Sequence, residues 1–387
     1  MGFSEQTWVE VSRGAIAKNF AAVRDIIGCG SSENNGEGGE VIAVVKSDAY
    51  GHGACDVARV LLECGCRRFA VASIAEAVSL RRCALGKGEA DVLVLGYTPP
   101  EMADEAARHG ITLTVCSVEH ARAIAARGLC GGSFHLAVDS GMHRVGIPCP
   151  DGGQRDADDF ERRLSEITSL LRVSGAFTHL AAADGADDES GRMTERQISR
   201  FWSISPLLDR LGISDQHILN SAGILYYADR VPDRLRRLVR PGLMLYGLSP
   251  RAGDFARFGL VPSLCWYARI AKLTKVRRGE SIGYGMSYIA PCDMTVAVLP
   301  VGYADGFPRA LSNGGQVLLR GHWLRVVGKV CMNMTCVDVS DVAAKVGEIV
   351  TLIGGDAPCD GLAAAAGTIS YEILSRINPR LFRIYKD

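Results

Sequence analysis

Polar and charged side chains that could do chemistry follow a series of short apolar runs in the first two-thirds of the chain. Lys46 follows the run VIAVV, His179 and Arg240 end two later runs, and Asn220 and Ser221 come directly after another. If these runs are parallel strands of one barrel, their carboxyl ends meet at one mouth, where barrel enzymes place their active sites. A lysine, a histidine and an arginine at one mouth indicate an anionic ligand and proton-transfer chemistry.

Lys46 has two interpretations from its position alone. A lysine after a buried strand extends its charged end to solvent, or it is a desolvated amine with a lowered pKa that suits a Schiff base. The following letters, SDAYGHG, give a tight glycine-rich turn with a tyrosine and a histidine beside the lysine, and they favour the Schiff base. Such a lysine serves an aldolase or a pyridoxal phosphate (PLP) enzyme. The Ser221 hydroxyl and the backbone N–H groups of Gly242 and Leu243 suit a phosphate, which separates these two classes only weakly.

The alternation of apolar runs with helical patterns indicates which strands and helices carry these residues. Eight β-branched runs alternate with helical patterns over about 250 of the 387 residues, which predicts a (β/α)8 barrel, with an open doubly wound sheet as the alternative. The predicted barrel strands are residues 41–46, 69–73, 92–95, 112–116, 134–139, 173–179, 217–220 and 238–240. Later runs punctuated by glycine pairs predict a smaller, mainly antiparallel β domain. Its predicted strands are residues 266–276, 295–301, 316–319, 324–330, 335–339 and 349–353.

Composition removes several classes of function. The formal net charge is zero, which disfavours a nucleic-acid-binding protein, and no apolar run approaches the ~20 residues of a membrane span. The first ten residues lack a signal-peptide pattern, so we expect a cytoplasmic protein. The 13 cysteines include no CxxC pair, and no two histidines have ligand spacing, so we expect mostly reduced thiols and no metal site.

The segment VIAVVKSDAYGHG resembles the PLP-lysine signature of the alanine racemase family. The segments HLAVDSGMHRVG, THLAAADG, NSAGIL, VRPGLMLYG, GESIGYGMSY, LPVGYADGFPR, GKVCMNMT and SYEIL also resemble that family's segments, in its order. The resemblance covers essentially the whole chain. It implies a PLP-dependent cytoplasmic homodimer with active sites shared between subunits. It also implies a PLP-binding barrel over residues 14–252, with residues 1–13 and 253–387 forming the β domain.

The resemblance also implies roles for the residues that move protons. Racemisation removes a proton from one face of Cα and returns one to the other, so it needs two acid/base groups. The family implies Lys46 as the Schiff-base lysine and one base, and Tyr284 of the partner subunit as the other. A free tyrosine has a pKa of about 10, so it needs a polar network to act near neutrality. By resemblance, His179 and Arg240 supply that network. Arg240 would also face the pyridine nitrogen of PLP and keep it unprotonated, which disfavours transamination.

Further residues are assigned to ligand contacts by the same resemblance. The PLP phosphate would meet side-chain hydroxyls and backbone amides of Tyr50, Ser221, Gly242, Leu243 and Tyr371, with Asn220 beside them. The substrate carboxylate would meet Arg144 and the backbone of Met332 from the other subunit. Residues of the entry corridor would be Asp184, Tyr303 and Arg309.

Two positions depart from the family pattern. Ala137 stands where many members have a carbamylated lysine, so something else must orient Arg144, and a small anion such as chloride is the simplest candidate. Asn333 replaces a common aspartate near the substrate carboxylate. These departures leave the strictness for alanine open.

The leading hypothesis is an isomerase that interconverts L- and D-alanine and supplies D-alanine for peptidoglycan. A serine or broad-specificity racemase of the same fold is the alternative, although Tyr371 favours alanine. A non-catalytic PLP carrier is disfavoured by the β domain and by Tyr284. A Schiff-base aldolase leaves the C-terminal third unexplained.

Overall fold

A computed structural model describes residues 5–28, 39–128, 132–151 and 153–387. The chain divides into two compact units. One unit comprises Ile16–Ser47 and Ala54–Val261, and the other comprises Met1–Ala15, Asp48–Gly53 and Pro262–Asp387. The second unit is therefore built from three separate stretches of sequence, one of which begins two residues after Lys46.

The first unit contains the predicted barrel. Eight parallel strands follow one another in the sheet in chain order, and the last strand pairs with the first. The Arg240 N–H also donates to the Leu219 carbonyl across the remaining junction, at 2.8 Å. The strands are β2 (Glu40–Val44), β3 (Arg68–Val71), β4 (Asp91–Val94), β5 (Ile111–Val115), β6 (Phe134–Asp139), β8 (Val173–Phe177), β9 (Asp215–His217) and β10 (Leu238–Val239), and the short β7 (Ile147–Pro148) pairs with the end of β6.

Helices connect these strands, and several of them begin with a side-chain cap. The Ser73, Ser117, Asp187 and Asn220 side chains each accept a backbone N–H from the first turn of the helix that follows. Helix α8 buries positions three and four residues apart, as an amphipathic crossover requires. The helices are α1 (Arg13–Ile26), α3 (Ala54–Glu63), α4 (Ile74–Cys83), α5 (Ala103–Arg108), α6 (Val118–Ala125), α7 (Gln154–Leu170), α8 (Asp188–Arg210), α9 (Ser221–Tyr227) and α10 (Asp233–Arg236). Between β2 and α3 lies α2 (Lys46–Gly51), which differs from all of them in hand and is described with the site.

The second unit is built on β-sheets, as expected. Its main sheet has the order β17-β16-β19-β11-β1-β20, in which β1 is antiparallel to β11 and parallel to β20. A three-stranded sheet, β12-β15-β18, and the hairpin β13-β14 complete it. The strands are β1 (Thr7–Ser12), β11 (Leu264–Arg269), β12 (Lys272–Val276), β13 (Ser281–Ile282), β14 (Tyr288–Ile289), β15 (Met294–Leu299), β16 (Gln316–Leu319), β17 (His322–Arg325), β18 (Thr335–Asp338), β19 (Ile349–Ile353) and β20 (Phe382–Lys386). Two short helices, α11 (Cys359–Ala365) and α12 (Ser370–Ser375), precede β20.

Two sequence-based strand assignments in this unit were wrong in extent. The predicted run 266–276 is two strands, because the chain changes sheets at Ile270 and Ala271, whose N–H groups bond to Glu348 and Val298. The predicted run 324–330 leaves the sheet after Arg325, and Gly328 then turns the chain with a positive φ of 79°. The apolar composition of these runs indicates neither the change of sheet nor the early end of the strand.

One cysteine pair departs from the expectation of reduced thiols. Cys55 on α3 and Cys83 on α4 form a disulfide with a Cα–Cα distance of 5.7 Å. The other nine cysteines in the described part of the chain are free thiols. The pairing follows from the packing of two neighbouring helices, which the sequence spacing does not reveal. Among the described residues, no helix combines the length and apolar character that a bilayer span requires.

Candidate active site

Lys46 lies at the carboxyl end of β2, where the first barrel strand opens onto the mouth. Its side chain is partly buried, and burial together with the positive charge of Arg144 lowers the pKa of its amine, although Glu76 opposes this. A lysine with a lowered pKa has more of the neutral amine that acts as a nucleophile. The environment therefore suits covalent chemistry at Lys46.

The segment directly after Lys46 adopts a left-handed helical turn. The φ angles of Ser47, Asp48, Ala49 and Tyr50 are all 52–53°, and Gly51 follows at 77°. Each non-glycine residue in this conformation costs roughly 1–2 kcal/mol, because Cβ approaches the following carbonyl oxygen. Four in succession are stable only where surrounding contacts fix them, and such strain is typical of functional sites.

Each end of this turn is held by contacts within its own unit. Next to Lys46, a Glu76 carboxylate oxygen accepts the Ser47 N–H at 2.7 Å. Farther along, the Arg383 guanidinium donates to the Gly51 carbonyl at 3.0 and 3.1 Å and pairs with the Asp48 carboxylate at 3.2 Å. These charge-assisted bonds offset part of the backbone strain.

Gly51 is expected to tolerate no side chain. A Cβ there would overlap the Leu374 carbonyl oxygen and lie 3.2 Å from Ile377 Cβ. Gly51→Ala should therefore lower the free energy of unfolding by about 3 kcal/mol, from the strained backbone and the overlap together. Gly212→Ala is the matched control, because its φ is 76° but nothing lies within 4 Å of the added methyl group. It should cost only ~1 kcal/mol. Equal losses in urea unfolding would show that the overlap contributes nothing.

Arg240 lies within the barrel, nearly inaccessible to solvent, and its guanidinium is fixed by several acceptors. It donates to the Thr178 carbonyl at 2.6 Å, to the His217 carbonyl at 2.5 Å and to His217 Nδ1 at 2.6 Å. Burial and the charge of Arg144 lower its pKa to about 9, so it still carries its proton at neutral pH. The barrel thus presents a rigid, buried cation.

His179 is a neutral group in this environment. Burial and the nearby charges of Arg240, Arg144 and Lys46 lower its pKa to about 3. Its Nε2 lies 3.4 Å from the Asn220 side-chain amide, whose oxygen caps α9 by accepting the Gly223 N–H at 2.9 Å. At neutral pH, His179 therefore contributes hydrogen bonding without charge.

A compact set of polar atoms lies where the last strands end. The buried Ser221 hydroxyl oxygen accepts the N–H groups of Gly242 at 2.9 Å and Met244 at 3.4 Å. Leu243 begins a single 3-10 turn, Leu243–Tyr246, so its N–H lies among the donors at the start of that turn. A hydroxyl beside converging backbone N–H groups is the donor set that a phosphate needs.

Arg144 is exposed at the mouth, and among the described residues none accepts a hydrogen bond from its guanidinium or forms an ion pair with it. Its charge reaches Lys46, His179 and Arg240, whose pKa values it helps to lower. The turn that leads to it is formed by Asp139, whose carboxylate accepts the N–H groups of residues 141–143 at 2.9–3.0 Å. Asp139 therefore stabilises the turn at the end of its strand.

The other expected site residues lie in the second unit, apart from Asp184. The rings of Tyr50 and Tyr371 are 6.1 Å apart, and burial raises the pKa of the Tyr50 hydroxyl. Tyr284 begins a 3-10 turn between two glycines with positive φ, and its side chain is 71% exposed. Tyr303 and Arg309 are also exposed, as is Asp184 in the barrel unit.

Three methionines of the same unit are also exposed. Met286, Met332 and Met334 are each more than half exposed in the single chain. Exposed large apolar side chains are a feature of interaction surfaces.

Sequence reasoning missed residues that support the site without ending a strand. His217 and Thr178 position Arg240, and Glu76 and Arg383 hold the turn after Lys46. His217 falls inside a predicted strand, where a lone histidine carries no distinctive signal. Arg383 lies far along the chain, so no local pattern connects it to the turn.

Known proteins resemble this chain over its full length. The profile of the alanine racemase N-terminal domain matches residues 11–250, and that of the C-terminal domain matches residues 263–385. An alanine racemase of Desulforamulus reducens is 39% identical over 98% of this chain and 99% of its own length. The structure of alanine racemase from Bartonella henselae with covalently bound pyridoxal phosphate has 27% identity and a TM-score of 0.84, and covers 99% of this chain and 100% of its own. That from Bacillus anthracis with bound L-Ala-P has 32% identity and a TM-score of 0.85, and covers 100% and 96%.

Proposed function

The chain belongs to the alanine racemase family, and on that premise we propose that its barrel residues bind PLP and that Lys46 and Tyr284 carry out the proton transfers. The enzyme is an isomerase that interconverts L- and D-alanine with PLP as cofactor. The observation that carries this conclusion is the match of both family domains to a chain whose first barrel strand ends in a partly buried lysine of lowered pKa. In this family, the D-alanine formed supplies peptidoglycan.

The residues of the barrel mouth fit PLP in charge and in hydrogen bonding. Bound PLP supplies an electron sink that makes the Cα proton of an attached amino acid removable. The Lys46 amine would hold the cofactor covalently. The Ser221 hydroxyl and the N–H groups of Gly242 and Leu243 would bind its phosphate, with Asn220 beside them. Tyr50 and Tyr371 would complete the phosphate site with their hydroxyls.

Arg240 would face the pyridine nitrogen of the cofactor. An arginine offers only donors, and Arg240 retains its proton at neutral pH, so it would donate to the ring nitrogen and keep that nitrogen unprotonated. An unprotonated ring is a weaker electron sink. The negative charge that develops on Cα would therefore be stabilised less, and transamination would be disfavoured relative to racemisation.

Proton transfer would use one base on each face of Cα. Lys46 would serve one face, and Tyr284 of a second copy would serve the other, tuned by the network of His179 and Arg240. The exposure of Tyr284, Met286, Met332 and Met334 supports a homodimer, because a second copy could cover these apolar side chains. A cytoplasmic location would agree with the nine free thiols of the described chain, although the Cys55–Cys83 disulfide is not typical of a reducing compartment.

The substrate carboxylate would lie against Arg144 and the backbone of Met332 from the second copy. Arg144 lacks a partner among the described residues, so its fork of donors is available to a carboxylate. Asp184, Tyr303 and Arg309 would line the corridor by which alanine enters. Residues 14–252 would form the PLP-binding domain, and residues 1–13 with 253–387 the domain that supplies Tyr284.

A small anion is expected to orient Arg144 in place of the carbamylated lysine. The buried Ala137 offers no acceptor, and a misplacement of about 1 Å at a substrate contact costs roughly 100-fold in rate. Replacing chloride with a bulky organic anion should lower kcat/KM for alanine by about tenfold, and adding bicarbonate should not restore it. Ala137→Lys, assayed with bicarbonate, is the control that should lose the chloride dependence. An equal kcat/KM with chloride and with the bulky anion would contradict this expectation.

Substrate choice is tested with the purified PLP-loaded enzyme and a panel of L-amino acids, followed by chiral chromatography. Alanine should give a kcat/KM at least about tenfold above that for serine, the size of effect that one hydroxyl group exerts in a small pocket. Equal values would favour the broad-specificity alternative, and no D-product from any amino acid would favour the non-catalytic carrier.

A further inference from the structure

Two buried histidines inside the barrel form a hydrogen-bonded series with Arg240. His135 is the second residue of β6, and its Nδ1 lies 2.9 Å from Nε2 of His217, the last residue of β9. His217 Nδ1 in turn lies 2.6 Å from an Arg240 guanidinium nitrogen. The series therefore runs from the start of β6 through the barrel to the cation at the mouth.

The chemistry of arginine determines where each proton of this series lies. A guanidinium only donates, so His217 Nδ1 must present its lone pair to Arg240. The proton of a neutral His217 is then on Nε2, where it donates to His135. His135 must accept through Nδ1, so its own proton is on Nε2. Each tautomer is fixed by the one next to it.

Burial keeps both rings neutral, and ring packing fixes the plane of His217. Burial is the largest factor that lowers the pKa of both histidines, to about 4 for His135 and well below the usual value for His217. The Phe177 ring also stacks on His217, with centroids 5.2 Å apart, and the Arg240 guanidinium carbon lies 5.2 Å from the Phe177 centroid. The orientation of the His217 ring plane is thus set by packing, and its tautomer remains to be set by hydrogen bonds.

The backbone beside His135 is adapted to its ring. A Cβ on Gly175 would lie 2.6–2.7 Å from three atoms of the imidazole, so only glycine leaves room for it. His135 also lines a cavity of about 280 Å³ at the amino-terminal ends of the strands, together with Ser133, Ser174 and Asp215. These polar neighbours provide a suitable surrounding for the Nε2–H that points away from His217.

We propose that His135 is a positioning residue for the racemase reaction: by accepting from His217 Nε2–H, it fixes the His217 tautomer that accepts from Arg240 and so holds the guanidinium against the cofactor ring. The proposal rests on the proposed function, in which Arg240 faces the pyridine nitrogen. Among the described residues, His217 Nε2 has no other hydrogen-bond partner. Without His135, the His217 proton is stabilised on neither nitrogen: on Nε2 it lacks an acceptor, and on Nδ1 it opposes the Arg240 donor.

The test compares His135→Asn with His135→Leu. Asparagine can present its amide oxygen near the position of Nδ1, whereas leucine has a similar shape and no acceptor. The first readout is independent of turnover: the imidazole N–H proton of His217 in ¹⁵N-histidine-labelled holoenzyme, assigned with His217→Gln. The wild type and His135→Asn should show a hydrogen-bonded proton on His217 Nε2, and His135→Leu should lose it.

The second readout is the partition between racemisation and transamination. In transamination, alanine, lysine-bound PLP and one water would become pyruvate, pyridoxamine phosphate and the free lysine amine: the amino group and the Cα proton move to the cofactor, and water supplies the keto oxygen of pyruvate. If Arg240 loosens, pyruvate formed per D-alanine should rise by about tenfold in His135→Leu, the size of one hydrogen bond to a charged group, and stay near wild type in His135→Asn.

A merely structural role would lower the stability of both variants and leave this ratio unchanged. If His135→Leu does not fold, Gly175→Ala displaces the same ring with the histidine intact and should raise the ratio in the same way. A wild-type proton on His217 Nδ1, or a ratio unchanged in the displaced-ring variants, would overturn the proposal. A wild type that racemises nothing would instead refute the proposed function, whatever the tautomer.

Discussion

Lys46→Ala is expected to lose nearly all racemisation, by a factor of about 10⁴ or more, because the change removes the proposed covalent anchor of PLP, which is also one of the two proposed bases. The purified variant should also lose the absorbance of the lysine-bound cofactor. Chiral chromatography of alanine incubated with the enzyme measures the first effect, and a spectrum of the freshly purified protein measures the second.

Lys18→Ala is the control for that variant, because Lys18 is exposed on α1 and has no role in the proposed site. It should retain wild-type rates and absorbance. If Lys46→Ala still carries a PLP adduct on the chain after borohydride reduction, another lysine is the anchor and the assignment is wrong.

Tyr284→Phe is expected to lower the racemisation rate by roughly 10²–10⁴-fold, the usual contribution of a positioned acid/base group, with little change in PLP content. The variant keeps the ring and removes only the hydroxyl that would move the proton. Tyr288→Phe is the matched control, because Tyr288 packs against an apolar cluster in the same hairpin region. It should remain active.

The loss should also be unequal between the two faces of alanine. Tyr284→Ala should slow exchange of the Cα hydrogen with solvent more for L-alanine than for D-alanine, since Lys46 still serves one face. Mixing Lys46→Ala with Tyr284→Phe should restore part of the activity after subunit exchange, because one mixed site then contains both bases. Equal slowing of both enantiomers argues against two bases, and no recovery argues against a shared site.

The barrel could be predicted from sequence because its physics is local and repetitive. Each buried parallel strand is a short apolar run, and the polar residue after it lies at the mouth, which is how Lys46, His179 and Arg240 were found. The strand 134–139 was predicted with its observed bounds. The first strand was predicted to end at Lys46, but it ends at Val44. The apolar sequence gives no sign that the backbone becomes left-handed from Ser47 onward.

What could not be predicted depends on contacts between distant parts of the chain. His135 lies in the largely apolar β6 and His217 ends the short β9, and only the closed barrel brings the two rings to 2.9 Å. The Cys55–Cys83 disulfide requires two helices to pack side by side. The roles proposed for Tyr284 and Met332 came from resemblance alone, because an exposed tyrosine and methionine carry no chemical signal of their own.

The left-handed turn beside Lys46 depends on residues that are synthesised near the end of the chain. The contacts at its far end come from Arg383, which is 332 positions beyond Gly51, and from Tyr385, which donates to the His52 carbonyl 333 positions earlier, at 2.9 Å. A nascent chain that has emerged with its barrel strands still lacks these partners. The far part of the turn, from Asp48 to Gly51, therefore reaches its final conformation only after translation has passed residue 385. We expect stalled chains that end before β20 to contain a folded barrel and an unformed turn.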